Sequence, residues 1–357
     1  MTPSLSINLA FLPIAPTGLA TYTINLLPHL KSLDPTLFVA LDQPEFECYS
    51  IPNNLTHEQG RTGHLSRLLW TQFQAPRLYQ KARSRLLFSP IPEAPLWSNC
   101  RSIVTVHDLI PLRFFRKNTP LWLYQKYYLP EVLNQAEHII CNSQATAQDI
   151  VDFFGISANK ITSILLAHDA ANFRFLELPI SNYFLYLGRN DPYKNLQRLI
   201  SAFAAIPNSS DYELWIAGPM DDRYMPDLTT QIEALKLTHQ VKFLSYVAYS
   251  ELPKIIGQAI ALVMPSLWEG FGLPVLEAMA CGTPVITSNL SSLPEVTGAA
   301  ALLVDPYDVN AIAEAMTAIA ADPSLRSQLQ QASLARAAQF SWAKTGEATA
   351  AILRQYL

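Results

Sequence analysis

Cysteine is scarce: Cys48, Cys100, Cys141 and Cys281 are the only four in 357 residues, far apart and without a C-x-x-C pair. That spacing excludes a disulfide framework and a zinc ribbon, and the thiols read as small buried hydrophobes in a reducing cytoplasm. No apolar run reaches the roughly 18 residues needed to cross a bilayer. The opening MTPSLSINLAFLP has no basic segment ahead of its apolar stretch, so neither a transmembrane helix nor a signal peptide is expected. The three-glycine dinucleotide fingerprint is missing after the first expected strand, and G-x-x-x-x-G-K-[ST] occurs nowhere. Both absences count against hydride-transfer cofactors and P-loop chemistry. With a pI near 6.0 and no recognisable module, nucleic acid is not an expected partner.

What remains is a chain that is about half apolar, with 12 Gly and 26 Pro, long enough for two α/β domains that each bury a core. Net charge is −4, divided unevenly: residues 1 to 172 carry 13 Lys+Arg against 12 Asp+Glu, and the remainder carries 12 against 17. Ser4 to Ala10 is expected as a strand, Leu12 to Gly18 as a loop and Leu19 to Lys31 as a helix, the opening of an α/β domain. Pro44 to Gly63 has no period and is expected to be irregular. From Arg61 to Arg85 six cations, Arg61, Arg67, Arg77, Lys81, Arg83 and Arg85, lie among Leu65, Leu68, Leu69, Trp70 and Phe73 with no acid between them. Such a stretch is either a solvated helix face or a surface for a membrane or an anionic acceptor; Arg113, Arg116 and Lys117 follow nearby.

Ser102 to Val106 is expected as a strand ending in His107-Asp108, which puts an imidazole at the carboxyl edge of a parallel sheet, where ligands bind. A lone histidine there reads equally as a structural hydrogen-bonding group. Thr119 to Gln135 is expected as a helix, His138 to Cys141 as a strand, and Ser143 as the cap of a further helix. Ala167 to Pro179 loses periodicity and is the expected linker, giving domains 1–172 and 173–341. After the strand Tyr183 to Leu187, Asp191 is expected to cap a helix with Pro192 at its first position and Lys194 in its first turn. Lysine opposes the dipole there unless an anion is present. Arg189 and Lys194 therefore read as a diphosphate clamp, or else as an Arg189–Asp191 pair beside a surface lysine. The strand Val241 to Leu244 leads to Ser245-Tyr246-Val247, where the Tyr246 ring is either a base-stacking group or a half-buried aromatic.

The densest stretch is LVMPSLWEGFGLPVLEAMACGTPVITS, residues 262 to 288. It reads as strand, glycine loop, helix and strand, with Pro274 at a helix start and Gly282 stopping the helix. Glu269 and Glu277 are either carboxylates satisfied by ligand hydroxyls, or a solvated loop residue and a dipole partner. The glycines allow backbone N–H groups to approach a ligand, with a helix N-terminus behind them.

This stretch resembles the signature of the family-4 retaining glycosyltransferases, which have the GT-B fold of two Rossmann-like α/β domains facing a cleft. The resemblance implies that Glu269 contacts the donor sugar and Glu277 the ribose, while Gly270, Phe271, Gly272 and Leu273 hold sugar and phosphate. It further implies a phosphate role for Arg189 and Lys194, a close approach to phosphate at Gly18, and base binding around Tyr246 and Val247. His107 is then near the transferring sugar, with Asp108 orienting it or meeting the acceptor, and a last helix, 342–357, packs back on the first domain. With no Asp-x-Asp in the chain, neither a metal nor any other cofactor is expected. The implied reaction moves a hexose from a nucleotide sugar, UDP-glucose first and GDP-mannose second, to a saccharide or lipid-linked saccharide. The expected setting is the cytoplasm, with peripheral membrane contact. A sugar-nucleotide epimerase of the same fold and a silent nucleotide-sugar-binding protein are the alternatives.

Overall fold

Short apolar runs, buried at every position, become parallel strands when helices cover both faces of the sheet. In a computed structural model, which describes residues 5–13, 18–114, 119–244 and 247–357, thirteen strands form two such sheets. The chain divides into two units. One runs to Leu166 and takes in Ser341–Leu357, and the other is Ala167–Phe340, so the crossing precedes residue 172.

The first sheet contains β1 (Leu5–Asn8), β2 (Thr36–Val39), β3 (Glu47–Ser50), β4 (Leu86–Ser89), β5 (Ser102–Val106), β6 (His138–Cys141) and β7 (Ile161–Ser163) in the order β3-β2-β1-β4-β5-β6-β7, all parallel. The second contains β8 (Tyr183–Leu187), β9 (Glu213–Ala217), β10 (Val241–Leu244), β11 (Ala261–Met264), β12 (Val285–Ser288) and β13 (Leu302–Val304), ordered β10-β9-β8-β11-β12-β13 and again parallel. Strand order reverses between β1 and β4 in one sheet and between β8 and β11 in the other. Loops leaving the carboxyl ends of such a pair part to opposite faces and leave a crevice between them.

Several local expectations change in three dimensions. Pro44 to Gly63 is not irregular throughout: Glu47–Ser50 pairs with β2 as an exposed edge strand, and a helix begins at Gly60. An edge strand buries little, so it needs no apolar run to announce it. The helix Gly60–Phe73 turns Arg67 inward, where Nε and Nη2 each lie 2.8 Å from a Glu93 carboxylate oxygen and Nη1 donates to the Leu55 carbonyl at 3.1 Å. Arg67 thus belongs to the core, and the remaining five cations of the basic stretch are exposed. Leu65, Leu69 and Phe73, 59%, 51% and 63% exposed, follow one another at helical spacing on the outer face. The segment expected as one helix from Thr119 contains a π turn, Tyr124–Tyr128, that stacks the two tyrosine rings at 5.1 Å.

The helix Trp342–Tyr356 lies against Gly18–Leu30 in the first unit, with Trp342 beside Tyr22. The two helices meet closely at Gly346, where an added Cβ would fall 2.2 Å from the His29 Cβ. A Cβ is fixed to its backbone and cannot yield as a side-chain tip can. Gly346→Val is expected to cost about 1–3 kcal/mol of stability through overpacking, read as a lowered melting temperature.

Candidate functional site

The second unit gathers most of its candidate site side chains on the loops after β8 and β11. The loop after β8 starts at Gly188, which the backbone approaches closely: a Cβ on Gly218, at the end of β9, would meet the Gly188 carbonyl oxygen at 2.4 Å. Arg189 follows, 55% exposed at its side chain, with Nε 2.9 Å from Asp191 Oδ2 and Nη2 3.9 Å from Asp221 Oδ2. Asp191 does not cap an α-helix. It precedes a 3-10 turn, Pro192–Lys194, and Asn195 then takes a left-handed conformation before the helix Leu196–Ala204. Lys194 consequently lies outside the first turn of that helix. Asn195 is held because its Nδ2 donates to the carbonyls of Pro265 and Pro306 at 2.9 and 2.7 Å.

That bond to Pro265 ties the loop after β8 to the loop after β11, and the Leu267 N–H donates to the Tyr193 carbonyl at 2.7 Å as a second tie. Across them Lys194 Nζ donates to Glu269 Oε1 at 2.5 Å, with the two side chains only 15% and 10% exposed. A pair so shielded attracts more strongly than a surface one, and stripping either partner leaves a stranded charge. The Ser291 hydroxyl accepts the Glu269 N–H at 3.0 Å, and the Ser292 hydroxyl donates to the carbonyls of Glu269 and Phe271. These two serines went unread in the sequence as site supports. Their one signal is their place, just beyond β12.

Gly272 has φ 100°, and a Cβ there would meet Leu293 Cδ2 at 2.7 Å, so glycine is required to turn the chain into the helix Leu273–Ala280. Phe271 is buried edge-on against Phe340, which leaves its backbone as the part a ligand can meet. Glu277, in the second turn of the helix, is half-buried. Burial pushes its carboxyl up to about 7, and the Asp169 charge adds to the rise. Val247 is half-buried; Ser245 and Tyr246, expected with it at the base, lie outside the described residues.

The first unit carries the other expected residues. His107 Nε2 is 2.8 Å from the Pro90 carbonyl, which can only accept, so Nε2 bears the proton and Nδ1 the lone pair. Burial pushes this imidazole down to about 4, the Pro90 bond opposing, and the ring stays neutral at physiological pH. Asp108 Oδ1 accepts the Ile110 N–H at 3.1 Å and opens the helix Ile110–Phe114. Arg113 is engaged by Asp149, its Nε 3.2 Å from Oδ2, and is not a free surface cation; Arg116 and Lys117 lie outside the described residues. Gly18 starts its helix exposed, with nothing within 4 Å of an added Cβ. Among the described residues no group of three or more His, Cys, Asp and Glu is disposed to hold a metal ion, and no helix is long and apolar enough to cross a membrane.

With this geometry in view, residues 16–171 match the family model described as Glycosyltransferase Family 4, and residues 171–336 the model described as Glycosyl transferases group 1. The chain is 34% identical over 233 residues to the O-antigen chain mannosyltransferase B of Escherichia coli, a stretch covering 61% of each protein. It is 29% identical over 314 residues to the O-antigen chain mannosyltransferase RfbU of Salmonella typhimurium strain LT2, covering 85% of this chain and 87% of that one. The solved structure of Anabaena HepE in complex with UDP-glucose superposes with a TM-score of 0.77 at 18% identity, over 98% of this chain and 99% of that one. At that identity the likeness is one of fold.

Glu277 yields a test of site electrostatics. Its folded-state pKa lies above the unfolded one, so between about 4.5 and about 7 the folded state holds the extra proton and stability falls as pH rises. Glu277→Gln removes that loss. The variant is expected to melt close to wild type at pH 5 and roughly 2–4 °C above it at pH 8, for a gain on the order of 1 kcal/mol. A melting difference that does not grow with pH would refute the assignment.

Proposed function

Because this chain belongs to family 4 of the GT-B glycosyltransferases, we propose that it transfers a mannosyl group from a nucleotide-activated donor to a saccharide acceptor. The supporting observation is the shielded Lys194–Glu269 pair at the switch point of the second sheet, next to Arg189 and the glycine turn. Sequence alone ranked UDP-glucose ahead of GDP-mannose. Two relatives named as O-antigen chain mannosyltransferases favour the reverse order, with UDP-glucose as the second choice.

Breaking the anomeric C–O bond leaves negative charge on a nucleoside diphosphate, and a site that offers cations and backbone N–H groups there lowers the barrier. Arg189 and Lys194 have that task, each giving up a carboxylate partner for phosphate oxygens. The loop amides of Gly270 to Leu273 meet sugar and phosphate, and Gly18 leaves room for the phosphate. Glu269, released by Lys194, accepts a sugar hydroxyl, and Glu277 accepts the ribose hydroxyls. Val247 and Tyr246 serve the base. Neutral His107 offers Nδ1 as an acceptor to a sugar hydroxyl. Charge is neutralised by these side chains without a metal, and front-face delivery of the acceptor retains configuration.

For the acceptor we propose a saccharide on a lipid carrier, met at the cytoplasmic face of a membrane. The support is the row Leu65, Leu69 and Phe73 on a helix flanked by exposed Arg61, Arg77, Lys81 and Arg85. An apolar row on one helix, with Arg61 at its start and the other cations on and after the next helix, suits an anionic interface, each cation adding about 1 kcal/mol at most.

Four measurements test these readings. GDP-mannose, but not UDP-glucose, is expected to be consumed in the presence of a saccharide acceptor, with EDTA without effect; preferred use of UDP-glucose would overturn the donor. Lys194→Ala is expected to weaken nucleoside diphosphate binding roughly 10- to 100-fold, a charge-assisted bond being worth about 1.5–3 kcal/mol. Glu269→Gln frees Lys194 and is expected to lose turnover while binding the diphosphate no more weakly than wild type. For the membrane, flotation with anionic vesicles at low salt is expected, and loss of flotation in Leu65→Ser/Leu69→Ser/Phe73→Ser. A protein that stays unbound fails the membrane proposal alone.

A further inference from the structure

Glu277 is a half-buried carboxylate whose described neighbours supply no hydrogen bond. Two other elements bring charged or titratable groups to it: the segment between β7 and β8 brings Asp169, and the turn after β10 brings Tyr249, while its own helix adds Cys281 one turn on. Neither carboxylate has a lysine or arginine partner among the described residues. Tyr249 is 42% exposed and yet held at three points. Its hydroxyl donates to Asp169 Oδ2 at 3.2 Å, its carbonyl accepts from Asn172 Nδ2 at 3.0 Å, and its ring stands edge-on to Phe173 at 5.5 Å. The other Asp169 oxygen accepts the N–H groups of Ala171 and Asn172, at 3.0 and 3.4 Å, so the carboxylate is itself fixed from its own turn.

Exposed loop tyrosines are ordinarily left free, since ordering a side chain costs entropy. Here the segment that joins the sheets spends a buried-side carboxylate, an amide and a ring on one of them. The like charge of Asp169 also leaves Glu277 in want of donors, and a vicinal diol has two O–H groups for its two oxygens. We propose that Asp169 is a positioning residue for the nucleoside half of the donor, fixing Tyr249 near Glu277 and making Glu277 depend on the ribose diol for its hydrogen bonds. This rests on the reading of Glu277 as the ribose contact.

The test is calorimetric binding of GDP, UDP and inorganic pyrophosphate to wild type, Asp169→Asn and Tyr249→Phe between pH 6 and pH 8.5. Pyrophosphate shares the phosphate protonation of the nucleotides but has no diol. In wild type, nucleoside diphosphate affinity is expected to fall, relative to pyrophosphate, as pH drops through about 7, where Glu277 takes up its proton. Asp169→Asn keeps an acceptor for Tyr249 but removes the charge, and should move that midpoint down by roughly half a unit or more. Tyr249→Phe should weaken the nucleoside diphosphate roughly 2- to 10-fold, as expected for one lost hydrogen bond, with the midpoint unmoved and pyrophosphate unaffected. An unmoved midpoint in Asp169→Asn, or pyrophosphate binding lost in parallel with the nucleotide, would overturn this inference alone. Wild type that binds neither GDP nor UDP would overturn the donor reading with it.

Discussion

Lys194 and Glu269 are separated by 75 positions in the chain and by 2.5 Å in space. They meet because β8 and β11 are sheet neighbours, paired at Phe184 with Ala261 and at Leu185 with Leu262, while the chain between them builds β9 and β10 on the far side. That reversal forces the two carboxyl-end loops apart above and below the sheet and leaves their inner rims facing each other. The centre of the proposed donor site follows from it: a lysine on one rim, a glutamate on the other, and a glycine turn with a helix behind it between them.

The site is electrostatically closed on itself. Lys194 is matched by Glu269, and Arg189 by Asp191 with Asp221 further off. In the proposed donor site a diphosphate would compete with carboxylates already in place, so its binding would be an exchange of anions and not a capture by bare cations. Such an exchange would sharpen specificity, because a ligand would have to satisfy the displaced Glu269 as well as the cations. A phosphate without a sugar leaves that carboxylate wanting donors, and a buried acceptor without a donor is costly. Glu277 has no such partner to give up. Burial and the nearby Asp169 charge hold its pKa up.

The first unit is governed by a different constraint, the tethering of the segment after β4. His107, Arg67, Tyr124, Tyr128 and Gln72 all bond to residues between Pro90 and Leu96. His107 is thereby fixed in one tautomer before any substrate arrives, which narrows its chemistry to accepting at Nδ1. Outward from this anchored segment, the helix Gly60–Phe73 splits its residues cleanly: Arg67 and Trp70 inward, Leu65, Leu69 and Phe73 to solvent.

The chain alone determined the α/β alternation, most strand positions and the central motif, since apolar runs, helix-starting prolines and a required glycine act over a few residues and leave their trace locally. It also named the charged residues proposed for the donor site and the fold family they resemble. What it left open was pairing. That Arg67 belongs to Glu93 and not to a basic surface, and that Lys194 meets Glu269, depend on partners that only the folded chain brings within reach. The edge strand Glu47–Ser50 was illegible for the related reason that it is defined by its hydrogen bonds to β2 and not by burial. Sequence states which groups need a partner; the order of strands in the sheet decides which partner is within reach.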